Sequence, residues 1–164
     1  MHPATIPLPD LARQCAETRT RRSGPGGQHR NKVETAIVLR HQPTGITAEA
    51  SERRSQAENR TVAFQRLRLR LALEHREPAA REPSDVWRRR VRARRLVIAA
   101  DHDDYPALVA EALDRLAASD WQMAPAAHEL GVSTSQLVRL LAKSPAAWTA
   151  INRLRAAHGL TPLQ

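Results

Sequence analysis

Glu34-Thr35-Ala36-Ile37-Val38-Leu39-Arg40-His41-Gln42-Pro43-Thr44-Gly45-Ile46-Thr47-Ala48-Glu49-Ala50 holds two extended runs around one turn. Ala36 to Leu39 is apolar and rich in β-branched residues, as a strand requires. Pro43 fixes φ and Gly45 tolerates φ > 0, which is turn chemistry. Ile46 to Ala50 alternates as a returning strand, so 34–50 is expected to be a β-hairpin. Upstream, Gln14 to Arg21 alternates weakly and reads as a further strand. Residues 1–13, with three prolines among the first twelve, read as an unstructured lead.

Downstream, Ser55-Gln56-Ala57-Glu58 is a capping box that opens a helix. The run after it supports two periods. Leu67, Leu69, Leu71 and Leu73 alternate with Arg66, Arg68 and Arg70, which fits a strand. Yet Leu, Arg, Ala, Gln and Glu are helix formers, and Ala63, Leu67 and Leu71 keep the i, i+4 spacing, so the expectation is a helix. Pro78 and Pro83 bracket a linker. The run Arg88-Arg89-Arg90-Val91-Arg92-Ala93-Arg94-Arg95 is expected to be helical through Ala99, as a solvated basic face, a frayed tail or a binding surface. Residues 104–164 read as four helices. Leu108, Val109, Ala112, Leu113 and Leu116 mark the first of them. Trp121 to Leu130 makes the second, ended by Gly131. Ser133-Thr134-Ser135-Gln136 opens the third, and Pro145 to His158 forms the fourth. The fold class is α+β: a hairpin-containing sheet with a packed helix, followed by an all-α region.

The chain has 164 residues, 26 Lys and Arg against 17 Asp and Glu, and a net charge of +9. A balance this basic expects a polyanion, usually nucleic acid. Residues 1–103 carry 21 of the cations and 12 of the acids, so the C-terminal part is neutral. All but Lys32 and Lys143 of the cations are Arg, which fits a GC-rich genome and also suits phosphate geometry. One cysteine, Cys15, excludes an internal disulfide framework. There is no run long enough to span a membrane and no targeting segment, so a soluble cytoplasmic protein is expected.

Familiar catalytic signatures are absent: no P-loop, no nucleophile elbow, no His-Glu-x-x-His. The seven histidines do not pair at ligand spacing, so no metal or cofactor is expected. What remains is Ser23-Gly24-Pro25-Gly26-Gly27-Gln28, holding three of the six glycines. Paired glycines let backbone N–H groups approach a substrate and stabilise developing negative charge. Taken alone, Gly-Gly-Gln reads as an ordinary turn.

Its flanks change that reading. Ser23 to Lys32, with Asn31-Lys32 after the loop, closely resembles the Gly-Gly-Gln signature of bacterial class-I peptide chain release factors and their ribosome-rescue relatives. The resemblance continues through the hairpin into Arg54-Ser55-Gln56-Ala57-Glu58-Asn59-Arg60, which is similar to the family's Arg-Ser-Gln-x-x-Asn helix start. It covers about residues 14–75. It implies a small release-factor catalytic domain over 14–77, a Pro-containing linker and Arg-rich helix over 78–103, and a helical domain over 104–164.

The resemblance also implies an activity: ribosome-dependent hydrolysis of the peptidyl-tRNA ester, that is, peptidyl-tRNA hydrolase chemistry in translation termination or ribosome rescue. Gln28 would place water and offer its backbone N–H to the oxyanion, while Gly26 and Gly27 let the loop enter the peptidyl transferase centre of the large subunit. Assistance from the tRNA ribose makes a base or metal unnecessary. Contacts to rRNA and tRNA are implied for Arg22, Ser23, His29, Arg30, Asn31, Lys32, Arg54 and Arg60. Rescue relatives carry a basic tail, a part open to Arg88, Arg89, Arg90 and Arg92. A glutamine N5-methyltransferase is a further possible partner; no membrane is expected. Only thirteen residues precede the first strand, and Pro3-Ala4-Thr5 matches one family's stop-codon tripeptide by coincidence, so codon-independent action is expected.

Ala126-Ala127-His128-Glu129-Leu130-Gly131-Val132-Ser133, leading into Gln136-Leu137-Val138-Arg139, resembles a helix-turn-helix. This leaves open a DNA- or RNA-binding regulator that exposes Thr134, Ser135, Gln136 and Arg139. A compact helical bundle and a ribosomal-protein contact also remain open, as does ribosome binding without catalysis.

Overall fold

The computed structural model describes residues 1–20 and 36–164. Strands β1 (Cys15–Thr20), β2 (Ala36–His41) and β3 (Thr47–Ala50) form an antiparallel sheet in that order. The register sets Thr20 opposite Ala36, Cys15 opposite His41, and Ile37 opposite Ala50. In β2 and β3, Ile37, Leu39, Ala48 and Ala50 are buried. Gly45 makes the turn with φ +73, where a side chain would be strained.

The ambiguous leucine–arginine segment is helical: α2 runs Gln56–Glu74 and buries Ala63, Phe64, Leu67, Leu71 and Ala72. Its arginines explain the false period. Arg66 Nη1 donates to the Glu49 carbonyl at 2.8 Å and Arg70 donates to the Thr47 carbonyl. Arg68 Nη2 reaches the Ala4 carbonyl at 3.1 Å. The arginine heads thus cover the outer edge of β3 and fasten the N-terminal segment. Unpaired edge carbonyls would otherwise invite another strand.

The lead differs from expectation. Pro3–Thr5 forms a 3₁₀ turn and Leu8–Arg13 forms α1, with Ala4 and Leu11 wholly buried. Prolines in the first turns preset φ and lower the cost of such short helices. His2 completes the turn: its Nδ1 accepts from Ala4 N–H at 3.0 Å and its Nε2 donates to the His75 carbonyl at 3.1 Å. Pro3 and Ala4 of the Pro3-Ala4-Thr5 tripeptide are therefore inside the protein, not presented to a codon.

A second difference falls on the arginine run. Helix α3 stops at Arg90 (Asp85–Arg90), and β4 (Val91–Arg92) pairs with β5 (Arg95–Leu96). The turn uses Ala93 at φ 47 and Arg94 at φ 62, both left-handed. Tertiary contacts override helix propensity here. Trp87 is buried and donates its indole N–H to the Leu130 carbonyl at 2.8 Å, while Leu96 and Ile98 are buried further along. Arg90 is held by Asp104 at 2.6 Å.

The remaining helices are α4 (Tyr105–Ala118), α5 (Met123–Glu129), α6 (Thr134–Ala142) and α7 (Pro145–Ala157). The second starts later than expected because Asp120 and Trp121 adopt φ 49 and 60. Gly131, at φ +67, turns α5 toward α6. The buried residues make one cluster, from Ala4 and Ile37 through Leu67 and Leu108 to Leu137 and Ile151. Among the described residues, no helix is long and apolar enough to cross a membrane.

Burial lowers the pKa of His2 from the usual 6.5 to about 4. A folded-state value below the unfolded one means that this stability is complete above pH 6.5 and is lost as pH falls toward 4. The loss attributable to His2 is about 2 kcal/mol after discounting for solvent screening. His2→Asn keeps an acceptor for Ala4 N–H but cannot titrate. Urea unfolding at several pH values should show a shallower decline for the variant; parallel declines would place the titrating group elsewhere.

Candidate functional site

Gly26, Gly27 and Gln28 lie outside the described residues, as do Arg22, Ser23, His29, Arg30, Asn31 and Lys32. The residues that bound this segment are described. Thr20 closes β1, Ala36 opens β2, and the two are register partners. Both ends of the segment are therefore set side by side at one end of the sheet. β3 ends at Ala50, opposite Ile37, so it leaves the sheet at the same end. Residues 51–55 then lead directly into α2.

That short connection is organised by Asn59, which has no exposed surface. Its Oδ1 accepts from Arg53 N–H at 2.9 Å, and its Nδ2 donates to the Arg53 carbonyl at 3.0 Å. A neutral amide satisfies both backbone groups of one residue, which neither Asp nor Leu can do. Ser55 Oγ accepts from Glu58 N–H at 3.4 Å, as the capping box predicts. The Glu52 carboxyl is held below its usual pKa by the backbone N–H groups of Ser51 and of Glu52 itself, with Arg66 adding to the effect.

Of the candidate nucleic-acid contacts, Arg54 is exposed, with no carboxylate within 4 Å among the described residues. Arg60 is committed within the fold: Nε donates to Glu17 Oε2 at 2.7 Å, and the guanidinium lies 4.8 Å from the Phe64 ring centroid. It thus ties α2 to β1, three residues before that strand ends. Sequence reasoning gave Asn59 no role of its own and passed over Arg19 and Arg53, which are exposed at the same end of the sheet. An Asn four residues past a capping serine, in the first turns of a helix, was the available signal.

The Arg88–Arg95 run divides. Arg88 pairs with Asp85 at 2.5 Å, and Arg90 pairs with Asp104. Arg89 and Arg92 are exposed and face no carboxylate within 4 Å among the described residues. In the helix-turn-helix-like region, Thr134, Ser135 and Arg139 are exposed, but Gln136 accepts from Leu96 N–H at 3.2 Å. Strand β5 thus lies against α6, where a DNA-reading helix needs a clear front. Among the described residues, no cluster of three His, Cys, Asp or Glu side chains is arranged to hold a metal.

Residues 11–100 match the model of the RF-1 domain, so the chain belongs to this family. The match begins in α1 and runs past the β4–β5 ribbon. Peptide chain release factor 2 of Acidovorax sp. (strain JS42) is 57% identical over 51 residues, which is 31% of this chain and 14% of that protein. Peptide chain release factor 1 of Verminephrobacter eiseniae (strain EF01-2) is 46% identical over 87 residues, 48% of this chain and 24% of that protein. The corresponding factor of Streptomyces avermitilis is 42% identical over 72 residues, 44% of this chain and 20% of that protein. The chain therefore spans at most about a quarter of these relatives.

Replacing Asn59 by Ala leaves the Arg53 N–H and carbonyl without their buried partner. The expected cost is about 2 kcal/mol, or a melting temperature lower by about 4–8 °C. Hydrogen exchange at the Arg53 amide should accelerate in parallel. Unchanged protection there would show that Asn59 does not organise this connection.

Proposed function

We propose that the protein hydrolyses the ester of peptidyl-tRNA on the ribosome through Gly26, Gly27 and Gln28, irrespective of the codon in the A site. The observation that carries this reading is the attachment of residues 21–35. In a chain of the RF-1 domain family, the Gly-Gly-Gln tripeptide is carried between two register-paired strand ends, Thr20 and Ala36. Such an attachment suits a catalytic segment that must reach a distant ester while its body stays fixed.

In this mechanism Gln28 offers its backbone N–H to the carbonyl oxygen as negative charge develops, and its side-chain amide places the attacking water. Water adds to the ester carbonyl, the C–O bond to the tRNA ribose breaks, and the ribose oxygen takes a proton as it leaves. Gly26 and Gly27 keep Cβ atoms out of the approach. Arg22, Ser23, His29, Arg30, Asn31, Lys32 and Arg54 would contact rRNA and tRNA, while Arg60 acts by holding β1 on α2. N5-methylation of Gln28 would bring in a methyltransferase.

Codon independence is supported by the packing of Pro3 and Ala4 into the core, which leaves Pro3-Ala4-Thr5 no decoding role. In this reading the protein acts in ribosome rescue, on complexes whose A site carries no usable signal.

The test is release of labelled formylmethionine from ribosomes with the initiator tRNA in the P site and an empty, sense or stop A site. Wild type should release at comparable rates in all three. Gly27→Ala, whose Cβ would keep the Gln28 N–H from the ester, should fall by about 100-fold or more, the scale of losing an oxyanion donor. Release only at stop codons would overturn codon independence, and full activity in Gly27→Ala would overturn the loop mechanism.

A further inference from the structure

The β4–β5 ribbon and α6 enclose a cleft of about 210 Å³ whose lining includes Arg95, Gln136, Arg139 and Lys143, with no Asp or Glu. Its floor is apolar, formed by Leu96, Ile98 and Leu140. Arg95, Arg139 and Lys143 are exposed, and none has a carboxylate within 4 Å among the described residues. Arg92 and Arg94, on the same ribbon, are likewise exposed.

Two features make this more than a basic stretch of sequence. Arg92 and Arg95 are register partners across the ribbon, and like charges directly opposite are destabilising. Arg139 and Lys143 are i and i+4 at the end of α6, another repulsive spacing. Arg95, already opposed by Arg92, thus meets the Arg139–Lys143 pair from a distant part of the chain at one cleft, with no Asp or Glu in its lining among the described residues. The arginines of α2 show the contrast, because Arg66, Arg68 and Arg70 each end on a carboxylate or a carbonyl. Composition alone does not produce this difference.

An anion bound in the cleft would offset the repulsion between Arg139 and Lys143 and give Arg95 a counter-charge. Arg forks and a Lys ammonium suit phosphate oxygens. The Gln136 carbonyl is taken by Leu96 N–H, which leaves its amide NH₂ as a further donor at the cleft. With β5 lying against α6, the helix is not free to enter a major groove and read base edges, so recognition is of backbone and charge.

We infer that this cleft is a second RNA contact, remote in sequence from the Gly-Gly-Gln segment, which holds backbone phosphates of structured RNA without regard to base sequence. The choice of RNA over DNA rests on the ribosomal function proposed above; the cleft itself rests on its own geometry.

The experiment uses the full chain and a fluorescein-labelled 20-base-pair RNA stem-loop, titrated by anisotropy across a salt series, with the same sequence as DNA in parallel. Arg95→Gln/Arg139→Gln/Lys143→Gln should weaken RNA binding at least tenfold. It should also reduce the slope of log affinity against log salt by about two to three, the scale of three lost phosphate contacts. Its melting temperature should be unchanged or higher, because the substitutions remove repulsion. Arg153→Gln, an exposed cation on α7, should bind within twofold of wild type. Wild-type affinity in the triple variant, or tighter binding of the DNA duplex than of the RNA, would overturn the inference. Neither readout uses ribosomes or ester cleavage, so failure of this inference is distinguishable from failure of the release assay.

Discussion

Helix α2 packs on β2 and β3 with one face and on α4 with another, and Leu67 and Leu71 within it are wholly removed from solvent. This double burial is the constraint on which the rest of the molecule depends. A small sheet needs a covered hydrophobic face to be stable in water, and β1 adds little to that face. The sheet is stable because α2 covers it, and α2 is stable because α4 backs it. Arg76, just past the end of α2, reaches Asp114 on α4 at 3.0 Å, and the Glu77 N–H meets the same carboxylate at 3.1 Å. Burial raises the pKa of that carboxyl to about 6, against the lowering by the Glu77 N–H and by Arg76, so these partners offset only part of the cost of burying the charge.

Arginine does two kinds of work in this chain. On α2 its guanidinium forks close the outer edge of β3, bind the N-terminal turn and pair with Glu52 and Glu74. On the β4–β5 ribbon, Arg92 and Arg95 are instead set opposite each other. A residue count cannot separate these roles, because both arise in the basic part of the sequence. Only the placement of acids and carbonyl groups around each guanidinium tells them apart.

The elements that rest on local chemistry were legible in the sequence. The hairpin around Gly45, the Ser55 and Ser133 caps and the turn at Gly131 follow from side chains acting within a few residues of themselves. The Gly-Gly-Gln tripeptide was legible only through the resemblance of its flanks to a known family, since taken alone it reads as an ordinary turn. What the sequence concealed depends on distant partners. Nothing in Val91 to Leu96 announces a strand pair: the left-handed positions are Ala93 and Arg94 where Asn or Gly would be the signal, and burial of Leu96 and Ile98 settles the matter. The N-terminal lead likewise looks featureless until α2 and α4 provide a place for Ala4 and Leu11. Asn59 stood in plain view within a motif, yet its purpose appears only with the Arg53 backbone folded around it.

The two strands that carry residues 21–35 are not equal supports. Ala36 is buried and continues into Ile37 and Leu39 at the centre of the sheet, whereas Thr20 is exposed and ends an edge strand with five exposed residues in a row. β1 is held by its ladder to β2 and by the Glu17–Arg60 pair, with almost no apolar burial of its own. Local opening is cheapest where apolar contact is least. A pull on this segment would therefore peel β1 from its free end while β2 stayed fixed, giving the protein one stiff mooring and one compliant one.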